Sequence, residues 1–234
     1  MSKNNYKQFE DNLAKTFECL GIFYQPLNQI PEAEKYYLKS LDIRERLAKD
    51  NPQQFEPDLA RMLANLGNFY IITQKVSEAE KYHLKSLEIR ERLTKSNPQQ
   101  FEPDLATTLM NLGIFYSDLA RVNEAEKHFL KSLNIYERLS KSNLQQFEPS
   151  LGLLLYNFGW FYKEQKDYTK TETYLTSALV IYEKWEKVSP SVFSPNRKTM
   201  WRVVKEFYEE WIAASTATEK TALEKKLKDV LARE

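Results

Sequence analysis

The stretch Phe101–Leu139 reads FEPDLATTLMNLGIFYSDLARVNEAEKHFLKSLNIYERL, and three other stretches, starting at Phe9, Phe55 and Phe147, copy it. Their glycines, Gly21, Gly67, Gly113 and Gly159, are each 46 residues apart. An unbroken period of that size marks an array of one supersecondary unit stacked on itself.

The second copy shows what the unit is. Pro57 suits the first position of a helix, with Phe55 placed to close a hydrophobic staple onto it. Leu59, Leu63, Leu66 and Tyr70 follow at helical spacing and form one apolar stripe. Ser77-Glu78-Ala79-Glu80 has the form of a capping box and opens a second helix. Its stripe is Ala79, His83, Leu84, Leu87 and Leu93, with Ile89 on the flank. Glu88–Arg92 and Glu91–Lys95 stand four apart in the favourable order for helix ion pairs. Asn97-Pro98 ends it. Each unit is therefore a helical hairpin, helix A then helix B. Gly67 and Ala79, like Gly21 and Ala33 or Gly113 and Ala125, are expected where A and B cross closely.

The first and last units depart from the template. Pro31 replaces the residue at Ser77, and in the fourth unit Asp167 and Thr169 supply turn and cap. Phe193-Ser194-Pro195 lies 46 residues after Phe147-Glu148-Pro149. A fifth helix A is predicted from Ser194 to about 213, capped by Ser194, with a shorter charged helix from Thr218 onward.

Composition excludes several classes of function. Lys plus Arg is 34 and Asp plus Glu is 33, a formal net charge of +1 with the signs interleaved. That argues against a nucleic-acid or anionic-membrane surface. Cys19 is the single cysteine, so no intramolecular disulfide forms. The polar start MSKNNYKQFED carries no secretory pattern, and no apolar run approaches the roughly 20 residues of a membrane span. A cytoplasmic, soluble protein is expected. No phosphate loop, nucleophile elbow or metal-ligand spacing appears, so no cofactor, metal or catalytic residue is predicted. His83 and His128 are expected to fill packing positions that are Tyr or Phe elsewhere. Cys19 reads as a packed or half-exposed thiol.

The repeated residues resemble the tetratricopeptide repeat. Its Leu-Gly-x-x-Tyr appears as Leu20-Gly21 with Tyr24, Leu66-Gly67 with Tyr70, Leu112-Gly113 with Tyr116, and Phe158-Gly159 with Tyr162. Its alanine falls on Ala33, Ala79 and Ala125, and its next large residue on Tyr37, His83 and Phe129. The usual helix-ending proline is replaced by Glu45, Glu91, Glu137 and Glu183. Helix B therefore runs on, and the unit grows from about 34 residues to the observed period. Long units entered through Glu-Ala-Glu-Lys look like the kinesin-light-chain type. The resemblance, over roughly residues 9–185, implies an all-α, right-handed α-solenoid of antiparallel helix pairs. Residues 1–192 would form four hairpins, and 193–234 a degenerate fifth acting as C-terminal cap.

For function the resemblance implies a non-enzymatic scaffold that binds an extended peptide or partner helix, with helix A lining a concave groove. The face of helix A opposite its core stripe carries Arg61, Asn65, Asn68 and Ile72 in the second unit. The third carries Thr107, Asn111, Ile114 and Asp118. The fourth carries Leu153, Asn157, Trp160 and Glu164, and the first Lys15, Cys19 and Ile22. Asn65, Asn111 and Asn157 form a ladder whose amides can both donate and accept. Two roles are open to it: reading the backbone of a peptide, or bonding to neighbouring helices. Met110, Ile114, Tyr156 and Trp160 are expected to crowd the same face as anchors, the alternative for Tyr156 and Trp160 being packing against the fifth helix A. Two other functions compete. One is self-assembly through the solenoid ends, suggested by Trp185, Trp201, Phe207 and Trp211; the other is a sensor or regulatory subunit of a larger effector complex.

Overall fold

The computed structural model describes residues 3–232, with ten helices and no strand among them. The helices are α1 (Lys3–Tyr24), α2 (Ile30–Asp50), α3 (Pro52–Ile72), α4 (Val76–Ser96) and α5 (Pro98–Asp118), followed by α6 (Val122–Ser142), α7 (Leu144–Glu164), α8 (Tyr168–Val188), α9 (Pro190–Ala214) and α10 (Ala217–Leu231). The chain falls into two compact units, residues 1–108 and 109–234. In the N-terminal unit α1 packs on α2, α2 on α3, and α3 on α4. In the C-terminal unit α6 packs on α7, α7 on α8, α8 on α9, and α9 on α10.

The period has a simple origin. A 21-residue helix A, a three-residue turn, a 21-residue helix B and a single asparagine make one unit, as in α3, residues 73–75, α4 and Asn97. The turn after each of the first four A helices passes through the left-handed region, at Asn28, Gln74, Ala120 and Lys166 (φ 54–59°). The next amide then returns to the carbonyl five residues earlier, as from Lys75 to Tyr70 at 2.8 Å and from Arg121 to Tyr116 at 2.9 Å. This is a Schellman closure made without its usual glycine.

Two helix starts differ from the sequence expectation. Helix A begins at Pro52, not Pro57, because one extended residue, Asn51, suffices to break the chain and Pro52 takes the first helical position. Pro57 lies inside α3, and Phe55 is a buried core residue, not a staple. By the same shift α9 starts at Pro190 after Ser189, and Ser194 lies within the helix. Ser77 does not cap α4, which starts at Val76 behind Lys75. Asp167 does cap α8, accepting the Lys170 amide at 3.0 Å, and Thr216 with Glu219 makes a full capping box on α10.

The crossings are tight at the glycines, but the residue facing each is not the alanine. A Cβ on Gly67 would lie 2.8 Å from the His83 ring, on Gly21 2.8 Å from Tyr37, and on Gly113 2.7 Å from Phe129. Beside each crossing two rings stack: Tyr24 on Tyr36, Tyr70 on Tyr82, Tyr116 on His128 and Tyr162 on Tyr174, with centroids 5.4–5.5 Å apart. Ser40 and Ser86 donate across the hairpin to the carbonyls of Ala14 and Ala60 at 2.8 and 2.7 Å. Leu84, placed in the stripe from sequence, is exposed, and Ile89 is buried in its stead. Arg92 reaches across to Glu56 at 2.6 Å instead of along its own helix to Glu88. Arg46 with Glu10 and Lys184 with Glu148 repeat this lock.

Both histidines are buried where sister hairpins carry aromatic rings, and burial pushes each down to about 4. Lys131 and Lys127 add to the effect at His128. The fold therefore holds neutral imidazoles, while the unfolded chain takes up protons near pH 6.5. Their stabilising effect is complete above pH 6.5 and is lost as pH falls from there toward 4. By pH 5 the loss should be about 2 kcal/mol for each ring. Urea unfolding at pH 7 and pH 5 checks this. The double variant His83→Phe/His128→Tyr, which installs the rings found at Phe129 and Tyr82, should show a clearly smaller acid loss than the wild type.

Candidate functional site

In the C-terminal unit the outer face of α7 presents Leu153, Tyr156, Asn157 and Trp160. They lie at helical spacing, because Leu154, Leu155, Phe158 and Tyr162 turn into the core. Trp160 is 40 % exposed, stands 6.4 Å from the Tyr156 ring, and carries the Lys163 ammonium 4.9 Å above it. A cavity of about 340 Å³ opens beside Tyr156, between α7 and α9 with α8 as floor. Leu153 and Tyr156 form one wall, Thr199 and Met200 the other, and Tyr182 the base; Ser150 and Asn196 bring polar groups to it. A mainly apolar pocket with a few converging polar groups is the usual form of a ligand-binding recess. The sequence reading had Tyr156 and Leu153 but not the α9 wall.

The other predicted residues divide. Asn157 donates to the Leu153 carbonyl at 2.9 Å and points its amide at the Met110 sulfur, 4.0 Å away. Met110 is buried, while Asn111 and Ile114 are half-buried on α5. At the far end of this face burial and then the nearby Glu164 push the Asp118 carboxyl up.

In the N-terminal unit the corresponding face is ionic. Arg61 donates to Glu18 and, at 3.3 Å, to Asp58; Asn65 donates to Glu18 at 2.7 Å. Asn68 and Cys19 are exposed. Behind them Arg44, only 1 % exposed, lies 3.4 Å from each of Asp11, Glu18 and Asp58. The sequence reading missed this cluster. Its signal was phase: Glu18 follows Ala14 by four, and Arg44 follows Leu41 by three, so both carry charge on a core-facing stripe.

A third feature joins consecutive hairpins. The hydroxyl of the helix A tyrosine donates to a helix B glutamate of the hairpin before it, from Tyr70 to Glu34 at 2.8 Å and from Tyr208 to Glu172 at 2.6 Å. Tyr162 does the same to Glu126 and holds that carboxyl below its ordinary range. Lys75, Lys170 and Lys226 bridge to the same three glutamates.

Among the described residues no group of three or more His, Cys, Asp or Glu is placed to hold a metal ion. No described helix is long and apolar enough to cross a membrane.

Stacked antiparallel helix pairs with a 46-residue period define an all-α repeat solenoid. The tetratricopeptide repeat family model matches residues 13–53, 59–99 and 105–143, together more than half of the chain. The chain belongs to the tetratricopeptide repeat family. A comparison with curated proteins finds no match. Among solved structures it is similar to BtubC (BKLC) from P. vanneervenii, with a TM-score of 0.70 at 18 % identity over 95 % of this chain and 81 % of that one. A Podosopora anserina kinesin light chain with nearly identical TPR-like repeats gives 0.66 at 16 % identity over 96 % and 97 %. The apo form of RapI gives 0.62 at 20 % over 94 % and 69 %. At these identities the likeness is one of fold, including the kinesin-light-chain-like form of the repeat. Tetratricopeptide repeats generally mediate contacts with protein partners and are generally non-catalytic.

Proposed function

We propose that the chain is a non-enzymatic interaction module that binds an extended peptide or partner helix on the faces of its A helices. In the C-terminal unit the contacts are Asn111, Ile114, Tyr156, Asn157 and Trp160, while Met110, expected beside them, is buried and backs Asn157 from behind. In the N-terminal unit they are Arg61, Asn65 and Asn68. The supporting observation is the cavity beside Tyr156: its size and apolar wall suit one large side chain of a ligand. Trp160, exposed one helical turn from Tyr156 with its ring 6.4 Å away, has the character of an interface anchor.

The test is selection of binders from a library of random peptides, followed by titration calorimetry. Trp160→Ala should weaken a selected peptide by about 2 kcal/mol or more. Asn111→Ala/Asn157→Ala should weaken it by roughly 1–3 kcal/mol. Circular dichroism should show both variants folded. Full-strength binding by both would move the site off this face.

A further inference from the structure

Three joints within the two units bury a phenylalanine of helix A (α3, α7 and α9) against the helix B before it. Phe69 is 1 % exposed and its ring lies 5.2 Å from Tyr37; Phe161 is 1 % exposed and lies 5.6 Å from Phe129. Phe207 is fully buried beside Tyr168. The next residue is the tyrosine whose hydroxyl reaches the helix B glutamate. In α1 the same two positions are Phe23 and Tyr24, and Phe23 is 59 % exposed. Phe9, in register with the buried Phe55, is 58 % exposed. So α1 carries the complete half of a joint whose other half is absent from the described chain.

The internal joints also state what the other half is. Each is a helix with a glutamate for the tyrosine hydroxyl and a large side chain three residues later: Glu34 and Tyr37, Glu126 and Phe129, Glu172 and Leu175. We propose that the exposed face of α1 docks one amphipathic helix of a partner protein bearing this glutamate and large apolar pair. Its large side chain covers Phe23 and its carboxylate accepts from the Tyr24 hydroxyl. The far end of a second copy does not offer such a helix. The longer α9 breaks the register before α10; there the glutamate with a large apolar residue three later is Glu224 with Leu227, and Leu227 packs against the core of its own unit. The aromatic end thought suited to self-assembly is likewise closed: Trp185 and Phe207 are buried, and the Trp201 indole donates to the Val230 carbonyl at 3.2 Å. The α1 surface shares no residue with the α7 face or its cavity, so Trp160→Ala tests the other site alone.

The experiment uses the full chain and a fluorescein-labelled peptide with the sequence of Val122–Ser142, held helical by a bridge across its exposed positions 127 and 131. Fluorescence anisotropy should show saturable binding. Phe23→Ser should weaken it about tenfold or more, as should Phe129→Ala in the peptide, the scale of losing a central anchor. Glu126→Gln in the peptide should weaken it less. Phe23 and Phe9 are exposed, so Phe23→Ser folds, and Phe9→Ser serves as a second variant. Absence of saturable binding, or equal binding to Phe23→Ser, overturns the proposal. Light scattering that shows a dimer of the wild type, lost in Phe23→Ser, would assign the face to a second copy and overturn it as well.

Discussion

Gly67→Leu is expected to lower the stability of the fold by about 3 kcal/mol or more, the upper range for overpacking. The reason is geometric. A Cβ at Gly67 would already lie 2.8–2.9 Å from three atoms of the His83 ring. That ring is buried and rigid, so it cannot swing aside as the end of a long side chain would. The helices must separate instead, and the neighbouring Tyr70–Tyr82 stack separates with them. The cost should fall mostly on stability and little on the area exposed by unfolding, so the urea midpoint drops while the slope stays near the wild-type value. Gly67→Ala/His83→Ala is the control, since removing the imidazole makes room for the new carbon. If Gly67→Leu unfolds at the wild-type midpoint, the two helices do not cross closely there.

That glycine was legible in the sequence because its constraint is periodic. A residue that must be small at one crossing must be small at every copy, and 46-residue spacing exposes it. The same logic recovered the helix pairs and the packing role of both histidines. It failed where two local readings compete. Pro52 and Pro57 both suit a first helical turn, and only the extended Asn51 shows which one opens α3. Arg92 has a glutamate four residues back and another 36 back; the fold brings the second to 2.6 Å. The α9 wall of the cavity was hidden for another reason. Thr199 and Met200 keep the register of Leu153 and Leu154, but a period says which face of a helix is buried, not which residues of two neighbouring A helices line one recess.

Arg44→Tyr should cost about 3–5 kcal/mol, the range for breaking a buried ion pair from one side. Arg44 faces Asp11, Glu18 and Asp58, and of these Asp11 and Glu18 are almost fully buried. Lys15 remains on Asp11 and Arg61 on Glu18 and Asp58, but neither enters the space that the guanidinium fills. The second hairpin keeps the charge, with Arg90 2.6 Å from Asp104, but the third shows how the same site is built without it. Met110 stands at the position of Glu18 and Tyr136 at that of Arg44, and both are buried. Glu18→Met/Arg44→Tyr should therefore recover a large part of the loss, and the two changes should couple by about 2 kcal/mol or more. A double-mutant cycle by urea unfolding measures this, and strictly additive effects would show that Arg44 does not answer Glu18. The coupling bears on the binding face as well. Glu18 also accepts from Arg61 and Asn65, so this carboxylate fixes both outward-facing groups through the buried cluster. In the C-terminal unit, where methionine takes its place, Asn157 turns instead to the carbonyl of its own helix. One repeat position thus decides whether the asparagine beside it is held by charge or left on an apolar surface.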